Sequence, residues 1–539
     1  MNRRRLSRRC AFLALLICAS ARGDESFDVV VYGATPGGVA AAVAAARAGA
    51  STALVEPLGL VGGIMSGGLG FSDSNQTDRR TLGGFFLEFH RRTAADYRRR
   101  GVELPYDVEV KDNRPWTYEP HVAEQVFNDL LREAGVRVFL GRRLVSVDKE
   151  GPRLRRMTTD AGAFAARVFI DATYEGDLLA AAGVSCALGR EGRGRHGESL
   201  AGHQFPKPKL EFSPRDAGGV LLPLLSGEDA GPDEDDDKVM VYSWRLCMTK
   251  DPANRIPVEK PAGYDPARFE LARRLFRNSP DPKVVGLDFY ALPGGKADVN
   301  NGIRRQLSMG LPGAQWAWCG ATPDGREKIR RAHEDYAREL LWFLGNDPAV
   351  PESVRTAVGA WGFARDEFAG SGHWPPALYV REGRRMIGEF VLTQTDILRD
   401  VAKPDAIGIG SFPIDSHDCQ RVATPDGGWI NEGAIFPVHR KGAIYGQPHQ
   451  IPYRAITPRR AEADNLLVPV SLSASHVAYG SIRVEPTWMV LGQSAGVAAA
   501  LAVRENLAVQ ALDVSVLQRE LRAAGQILDL RPEHLEGLR

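Results

Sequence analysis

Hydrophobic positions fall along the chain in two rhythms. Phe27 to Tyr32 is a short, nearly unbroken apolar run that ends in a glycine turn, the pattern of a strand buried on both faces of a parallel sheet. The alanine-rich stretch Val39 to Ala48 is built of helix formers and stopped by Gly49, and Ser51 to Val55 turns apolar again. Together these predict a strand, helix, strand unit. Val136 to Leu140, Leu144 to Val147, Leu154 to Thr159 and Ala166 to Ile170 are short runs parted by Gly and Asp turns. They predict a strand, a small antiparallel excursion and a return to the sheet. From about residue 205 to 405 the pattern is mixed, with Pro- and Gly-rich connectors, an acidic loop at Ala230 to Asp237, and helical stretches at Pro266 to Phe276 and Arg326 to Gly345. Asn465 to Val470 is strand-like again, and Thr487 to Val503 reads as an apolar, alanine-rich helix that brings the chain back to the first sheet.

A chain of 539 residues exceeds what one core supports, so two or more domains are expected. With 68 basic and 67 acidic residues there is no electrostatic footprint for nucleic acid. The N-terminus has a basic stretch (Arg3, Arg4, Arg5, Arg8, Arg9), the apolar run Cys10 to Cys18, and Ala19-Ser20-Ala21. This is the layout of an export signal over residues 1–23, for the Sec route or, from Ser7-Arg8-Arg9, the twin-arginine route. The expected location is periplasmic or extracellular. No later stretch is expected to reach the roughly 18 apolar residues a membrane span needs. Cys186, Cys247, Cys319 and Cys419 form no C-x-x-C pair, so no metal site is expected. Buried thiols are the first reading, and disulfides the alternative in an oxidising compartment.

The strongest chemical signal is Gly33-Ala34-Thr35-Pro36-Gly37-Gly38 between strand and helix, with Glu56 closing the next strand. Gly33 permits the tight turn, the amides at the helix start meet a pyrophosphate, Gly38 lets helix and strand pack closely, and Glu56 accepts from a ribose. Thr35 stands where the fingerprint has its middle glycine, which alters the backbone approach. Gly62-Gly63, with Gly67-Gly68, and Ala172-Thr173 are small-residue stretches past which a dinucleotide could run.

Val31 to Gly38, Ile170 to Asp177, Gly189-Arg190-Glu191 and the run Leu467 to Ala500 together resemble the FAD-dependent oxidoreductase family related to the flavin subunit of heterodisulfide reductase, sometimes labelled xanthan lyase-like. That last run holds Ser473-Ala474-Ser475-His476, Ser481 to Pro486 and Gly492 to Gly496. The resemblance implies FAD as cofactor, in an α/β, Rossmann-like domain of the glutathione-reductase type that is discontinuous in sequence. It would use residues 24–75, 116–204 and 406–510, with an inserted α+β substrate domain at 76–115 and 205–405 and a helical extension at 511–539. It further implies that the helix starting near Thr487 aims its N-terminus at the flavin, that Arg483, Glu485, Gly492 and Gly496 serve the cofactor, and that Val138 lies beside the adenine. Unlike the heterodisulfide reductase subunit, this chain has no iron-sulfur cysteine motif, and it shows no second fingerprint for a nicotinamide. The electron acceptor is unspecified.

Oxidation of a hydroxylated carbon by flavin needs a base, and histidine titrates in the useful range. His476, among Ser471, Ser473 and Ser475, is the first candidate. His417, in Asp415-Ser416-His417-Asp418, is the second, because a flanking carboxylate would fix its tautomer. Arg381 to Arg385 and Arg454 offer guanidinium forks, and Trp316, Trp318 and Trp374 offer faces for a sugar ring, although ion pairs and core packing are the commoner uses. The expected function is oxidation or reduction of a small molecule, a carbohydrate or related hydroxylated compound. The alternatives are a polysaccharide lyase-like enzyme and a non-catalytic flavin-binding protein.

Overall fold

The computed structural model describes residues 25–530 except 111, 113, 400 and 439–445. The export signal expected at 1–23 lies outside the described residues, as does the end of the expected extension. β1 (Glu25–Tyr32) feeds α1 (Pro36–Arg47) and β2 (Thr52–Val55), as the apolar pattern predicts. β1 pairs in parallel with β2 and with β6 (Gly162–Asp171), and β2 with β3 (Arg137–Phe139). β4 (Leu144–Glu150) and β5 (Arg153–Thr159) form the antiparallel excursion, and the late strand β13 (Leu466–Leu467) returns in parallel to β6. The strand order is β3-β2-β1-β6-β5-β4, with β13 on β6. In open α/β sheets of this kind ligands bind beyond the carboxyl ends of the strands, where chain direction reverses, and α1 begins at that end.

Two helices seal one face of the sheet. α1 and α8 (Glu485–Glu505) are alanine-rich and apolar all round, which suits helices buried on every side. Their contact is backbone on backbone: a Cβ on Gly492 would lie 2.0 Å from the carbonyl of Gly37, and one on Gly496 2.2 Å from that of Ala41. α8 is long and apolar enough to cross a membrane, contrary to the expectation that no such stretch follows the N-terminus, but it is wholly buried in the core. Two polar side chains in its middle, Gln493 and Ser494, are spent internally. The backbone N–H of Phe85 donates to Gln493 Oε1 (2.7 Å), and Ser494 donates to the carbonyl of Ile407 (2.8 Å).

A second, antiparallel sheet lies in the middle of the chain: β7 (Leu246–Thr249), β8 (Arg255–Pro257), β9 (Leu287–Leu292), β10 (Lys296–Asn301) and β11 (Gly362–Ala364), ordered β9-β10-β7-β11-β8. The long helix α6 (Pro323–Asn346) packs on it through Tyr336, Leu340 and Phe343. Core membership departs from the expected division in three places. α3 (Gly84–Arg99), expected in the substrate block, buries Phe85, Phe86, Phe89 and Tyr97 in the same core as α1, α4 (Pro120–Glu133) and α8. Burying each phenylalanine is worth roughly 1.5–3 kcal/mol. Leu392 and Ile397 join the first core, whereas Trp429 joins the second. α9 (Val514–Ala523) is no loose extension: Leu517, Leu521 and Leu528 close the first core beneath α8.

Candidate functional site

The fingerprint builds a turn that few side chains fit. Gly33 has φ +101°, and a Cβ there would meet the amide of Thr173 at 2.7 Å; on Gly38 it would meet the carbonyl of Gly33 at 1.9 Å. Thr35, in place of the middle glycine, caps α1: its Oγ1 accepts from the Gly38 N–H (3.1 Å) and donates to the carbonyl of Ala172 (2.7 Å). The free amides of the helix start therefore face the sheet end, where an anion is favoured. Glu56 accepts from the N–H groups of Ala34 (2.5 Å) and Leu58 (2.7 Å). Burial raises its carboxyl to about 7 against those two bonds. Each oxygen keeps a second lone pair for a ribose hydroxyl.

Beyond this turn lies a cavity of about 680 Å³ lined by Gly33, Thr35, Glu56, Gly63 and Thr173, and further along by Arg143, Leu144, Val145 and Tyr174. Leu58 and Val145 hold apolar surface at its mouth, 41% and 65% exposed. Several expected cofactor residues lie elsewhere. Val138 stands on the edge strand β3, outside the lining, whereas Leu58 and Val145 are part of it. Pro36, Gly37, Gly38, Gly62 and Ala172 shape the turn from behind. Gly62, at φ +93°, has the Phe127 ring 2.4 Å from the place of a Cβ. Gly492 and Gly496 are packing residues of the α1–α8 contact, not lining. Arg483 and Glu485 belong to a buried cluster of polar side chains at the start of α8, called the chamber below.

This chamber adjoins the cavity through Tyr174, whose ring lies 5.1 Å from that of Trp488 and whose hydroxyl accepts from the N–H of Ile64. Six distant segments supply it. β12 (Ile414–Ser416) is an extended strand, so alternate residues face opposite ways. Ser416 faces His476, while Asp415 lies beside Arg483 and His417 beside Asn301. The extended segment 378–381 alternates likewise. Leu378 and Val380 line the cavity, whereas Tyr379 and Arg381 stack on each other (4.4 Å) on the chamber side. Arg381 donates to the carbonyl of Val241 (2.7 Å), Ser243 Oγ (2.8 Å) and Asn301 Oδ1 (2.6 Å). Arg245 forks onto Asp298, with bonds of 2.8 and 2.5 Å. Glu485 is buried with neither oxygen bonded, and burial, then Asp73, raises it to about 8.

The histidines exchange rank. His476 is the first-choice base by sequence, yet both its ring nitrogens are occupied: Nδ1 faces Glu382 at 2.9 Å and Nε2 faces Ser416 Oγ at 3.3 Å. Its backbone N–H donates to Glu191 (2.8 Å), and Arg385 bridges Glu191 and Glu382 beneath it. Burial alone would raise Glu191, but Arg385 and that N–H hold it at about 2. This is an internal ion network.

His417 is held neutral by burial and by Arg381 and Arg483, well below the usual imidazole range. Its tautomer is not set by the flanking carboxylates. Asp418 pairs with Lys207 (2.6 Å), and Asp415 lies toward Arg483 at 3.7 Å. Asn301 sets it instead. Because Arg381 only donates, the Asn301 oxygen must accept from it, so the amide nitrogen donates to His417 Nδ1 (3.3 Å). The imidazole proton then sits on Nε2. Asp415 has an unbonded, buried Oδ1, and burial raises its carboxyl to about 6 against the pull of Arg483. Asp415 thus keeps an unbonded carboxylate oxygen, and His417 an Nε2–H.

Sequence spacing gave no signal for Asn301, Asp73 or Arg245. Of the other residues considered, Arg454 pairs with Asp405 on the surface and Trp374 packs edge-on against Trp244 in the core. Trp316 donates to the carbonyl of Cys419, and Trp318, at the cavity, donates to Glu175. The four cysteines are free thiols. Glu119, His121 and Glu367 cluster closely enough for a metal ion, but the Lys296 ammonium already lies 2.7 Å from Glu119 and from Glu367.

The turn, the cavity and the sealed α1–α8 pair define a dinucleotide-binding α/β protein. The chain belongs to the FAD dependent oxidoreductase family, whose model matches residues 28–521. It is an oxidoreductase and its cofactor is FAD. No curated protein matches it. Among solved structures it is similar to a geranylgeranyl bacteriochlorophyll reductase-like protein from Thermoplasma acidophilum (13% identity, 95% of this chain and 86% of that one, TM-score 0.35). It is also similar to the bacillithiol disulfide reductase Bdr of Staphylococcus aureus (16%, 32% and 44%, 0.20) and to a 3-ketosteroid dehydrogenase of Rhodococcus jostii (18%, 30% and 50%, 0.20). The match spans half or less of the length of these last two.

The residues present fit FAD. The glycine turn leaves no room for side chains where a pyrophosphate would approach, Glu56 is placed for a ribose, and Leu58 and Val145 offer apolar faces for an adenine.

Proposed function

We propose that the protein is exported, by the Sec or the twin-arginine route, and transfers hydride between FAD and a hydroxylated small molecule, a carbohydrate or related compound. In this reading its flavin sits in a discontinuous, glutathione-reductase-type Rossmann domain, and the second sheet with α6 is the substrate cap. The basic stretch Arg3 to Arg9 followed by Cys10 to Cys18 supports export.

One observation carries the chemical reading: Asp415, with an unbonded oxygen, and His417, with its proton fixed on Nε2, stand two residues apart at the end of β12, both acted on by Arg381 and Arg483. FAD, when bound, supplies the group that takes or gives hydride. The protein's part is at the substrate oxygen. His417 Nε2–H donates to that oxygen and orients it, and Asp415 Oδ1 accepts the hydroxyl proton as the carbon is oxidised, or returns it in the reverse direction. The α1 amides and Glu56 hold the dinucleotide, and buried Tyr118 and Tyr379 with half-buried Tyr174 stand around Glu485.

The test is anaerobic mixing of the flavin-loaded protein with a panel of sugars, polyols and their acids while the visible flavin band is followed. Bleaching by a hydroxylated compound is the expected result. Bleaching only by compounds lacking a hydroxyl at the reacting carbon would overturn the reading.

A further inference from the structure

Two carboxylates flank the glycine turn. β2 and β6 pair with β1 on its two sides, Glu56 follows the end of β2, and Thr173-Tyr174-Glu175 lies just past the end of β6. Both carboxylates line the cavity of about 680 Å³, and after burial the Glu175 charge is what raises Glu56. Among the described residues Glu175 makes no ion pair. Arg326, the strongest charge acting on it, gives both terminal nitrogens to Asp177 (2.6 and 2.7 Å). Arg384 goes to Asp177 and to the backbone carbonyl of Glu175 (both 3.1 Å). The one side chain that donates to the Glu175 carboxylate is Trp318, through Nε1–H to Oε1 at 3.0 Å. Trp318 packs in the core of the second sheet, so the cap reaches across the cavity to aim this carboxylate. Burial raises the Glu175 carboxyl against the pull of Arg326.

We propose that Glu175 binds the ribityl chain of FAD by accepting from its hydroxyls, and that Trp318 is the residue that positions it. A carboxylate facing a cavity calls for a donor. The pyrophosphate is the wrong partner, since it is itself an anion, and it falls to the α1 amides. The dinucleotide carries hydroxyls on both sides of its pyrophosphate, a ribose on one and a ribityl chain on the other. The adenosine side goes to Glu56, because Leu58, with exposed apolar surface in the lining, stands two residues beyond it. The flavin side then falls to Glu175, across β1. Its neighbour Tyr174 leads toward the chamber, and the segment carrying Leu378 and Val380 is tied to it, the Arg384 N–H donating to the Glu175 carbonyl (3.3 Å). The assignment holds whatever the substrate is.

Titrations of the full protein after removal of its flavin read binding directly: fluorescence quenching for FAD, FMN, riboflavin and lumiflavin, and competition against FAD for ADP. Lumiflavin has the flavin ring without the ribityl chain. The wild type is expected to bind riboflavin about tenfold more tightly than lumiflavin, or better. Glu175→Gln keeps an acceptor for Trp318. It is expected to weaken FAD, FMN and riboflavin about tenfold each, to leave ADP within about twofold, and to narrow the gap to lumiflavin. Glu56→Gln should give the opposite pattern, weakening FAD and ADP and sparing FMN. Trp318→Phe should follow Glu175→Gln at about threefold, since it loosens the carboxylate without removing it. ADP binding checks the fold of each variant, and the comparison of riboflavin with lumiflavin needs no variant.

Equal binding of riboflavin and lumiflavin by the wild type overturns the inference, as does a Glu175→Gln protein that binds every flavin like the wild type. A loss of FAD and ADP with FMN spared would put Glu175 on the adenosine side and overturn it equally. A loss shared by all probes, ADP included, would make Glu175 a support of the fold and not a ligand of the cofactor. None of these readings involves turnover, so they leave the proposed substrate untouched.

Discussion

The dinucleotide cavity and the polar chamber lie side by side at the start of α8, but they are built by different means. The cavity is set by backbone. Gly33, Gly38 and Gly62 hold positions where an added carbon would strike a carbonyl, an amide or a ring, and the glycine turn and Glu56 come from one short stretch of chain. The chamber is set by side chains. Asp73, Asn301, Arg381, Asp415 and Arg483 come from distant segments, and each is positioned by a few hydrogen bonds or charges. A generic cofactor meets a rigid, local frame here, while the part that selects a substrate rests on groups that single substitutions can retune.

The most severe way to break the frame is Gly492→Val. Its Cβ would lie 2.0 Å from the Gly37 carbonyl, so α8 must leave α1, and a loss of at least about 3 kcal/mol with loss of bound FAD is expected in denaturant unfolding and flavin quantitation. Next is Arg385→Met beneath the chamber. It strands Glu382 and Glu191, and equilibrium unfolding should register about 3–5 kcal/mol. If the loss is below about 1 kcal/mol, the network is not the support described.

A smaller effect separates the chamber by pH. Glu485 titrates at about 8 in the fold against an ordinary 4.5, so its contribution to stability is complete below 4.5 and is lost as pH rises through about 8. Glu485→Gln should therefore melt near the wild type at about pH 4 and above it at about pH 9. The same difference at both values would contradict the assignment. Smallest is the cavity mouth: Val145→Ala should weaken FAD binding about three- to tenfold, in line with about two buried methyl groups, and Val138→Ala should leave it unchanged.

The legibility of the sequence follows the same division. β1, α1, β2 and the excursion β4–β5 were readable because periodicity and glycine position are local, and Glu56 was readable by its distance from Gly33. The helix α8 was readable from its alanines, but its glycines carried packing rather than cofactor contact, a distinction that only the facing backbone of α1 makes visible. His476 outranked His417 because its serine-rich neighbourhood looks like a pocket lining. Glu382 and Glu191 close that pocket from 94 and 285 residues away. Asp415 was in view only as a flank of His417, since nothing in a sequence tells that one of its oxygens is left unbonded.

The most direct test of the account compares anaerobic flavin reduction in the wild type and in Asp415→Asn, using the compound that bleaches the wild type. The account predicts that Asp415→Asn keeps its FAD and reduces it about 10²- to 10⁴-fold more slowly, while His476→Gln, where it folds, retains most of the rate. Full-rate reduction in Asp415→Asn would contradict the placement of the reaction at the Asp415–His417 face.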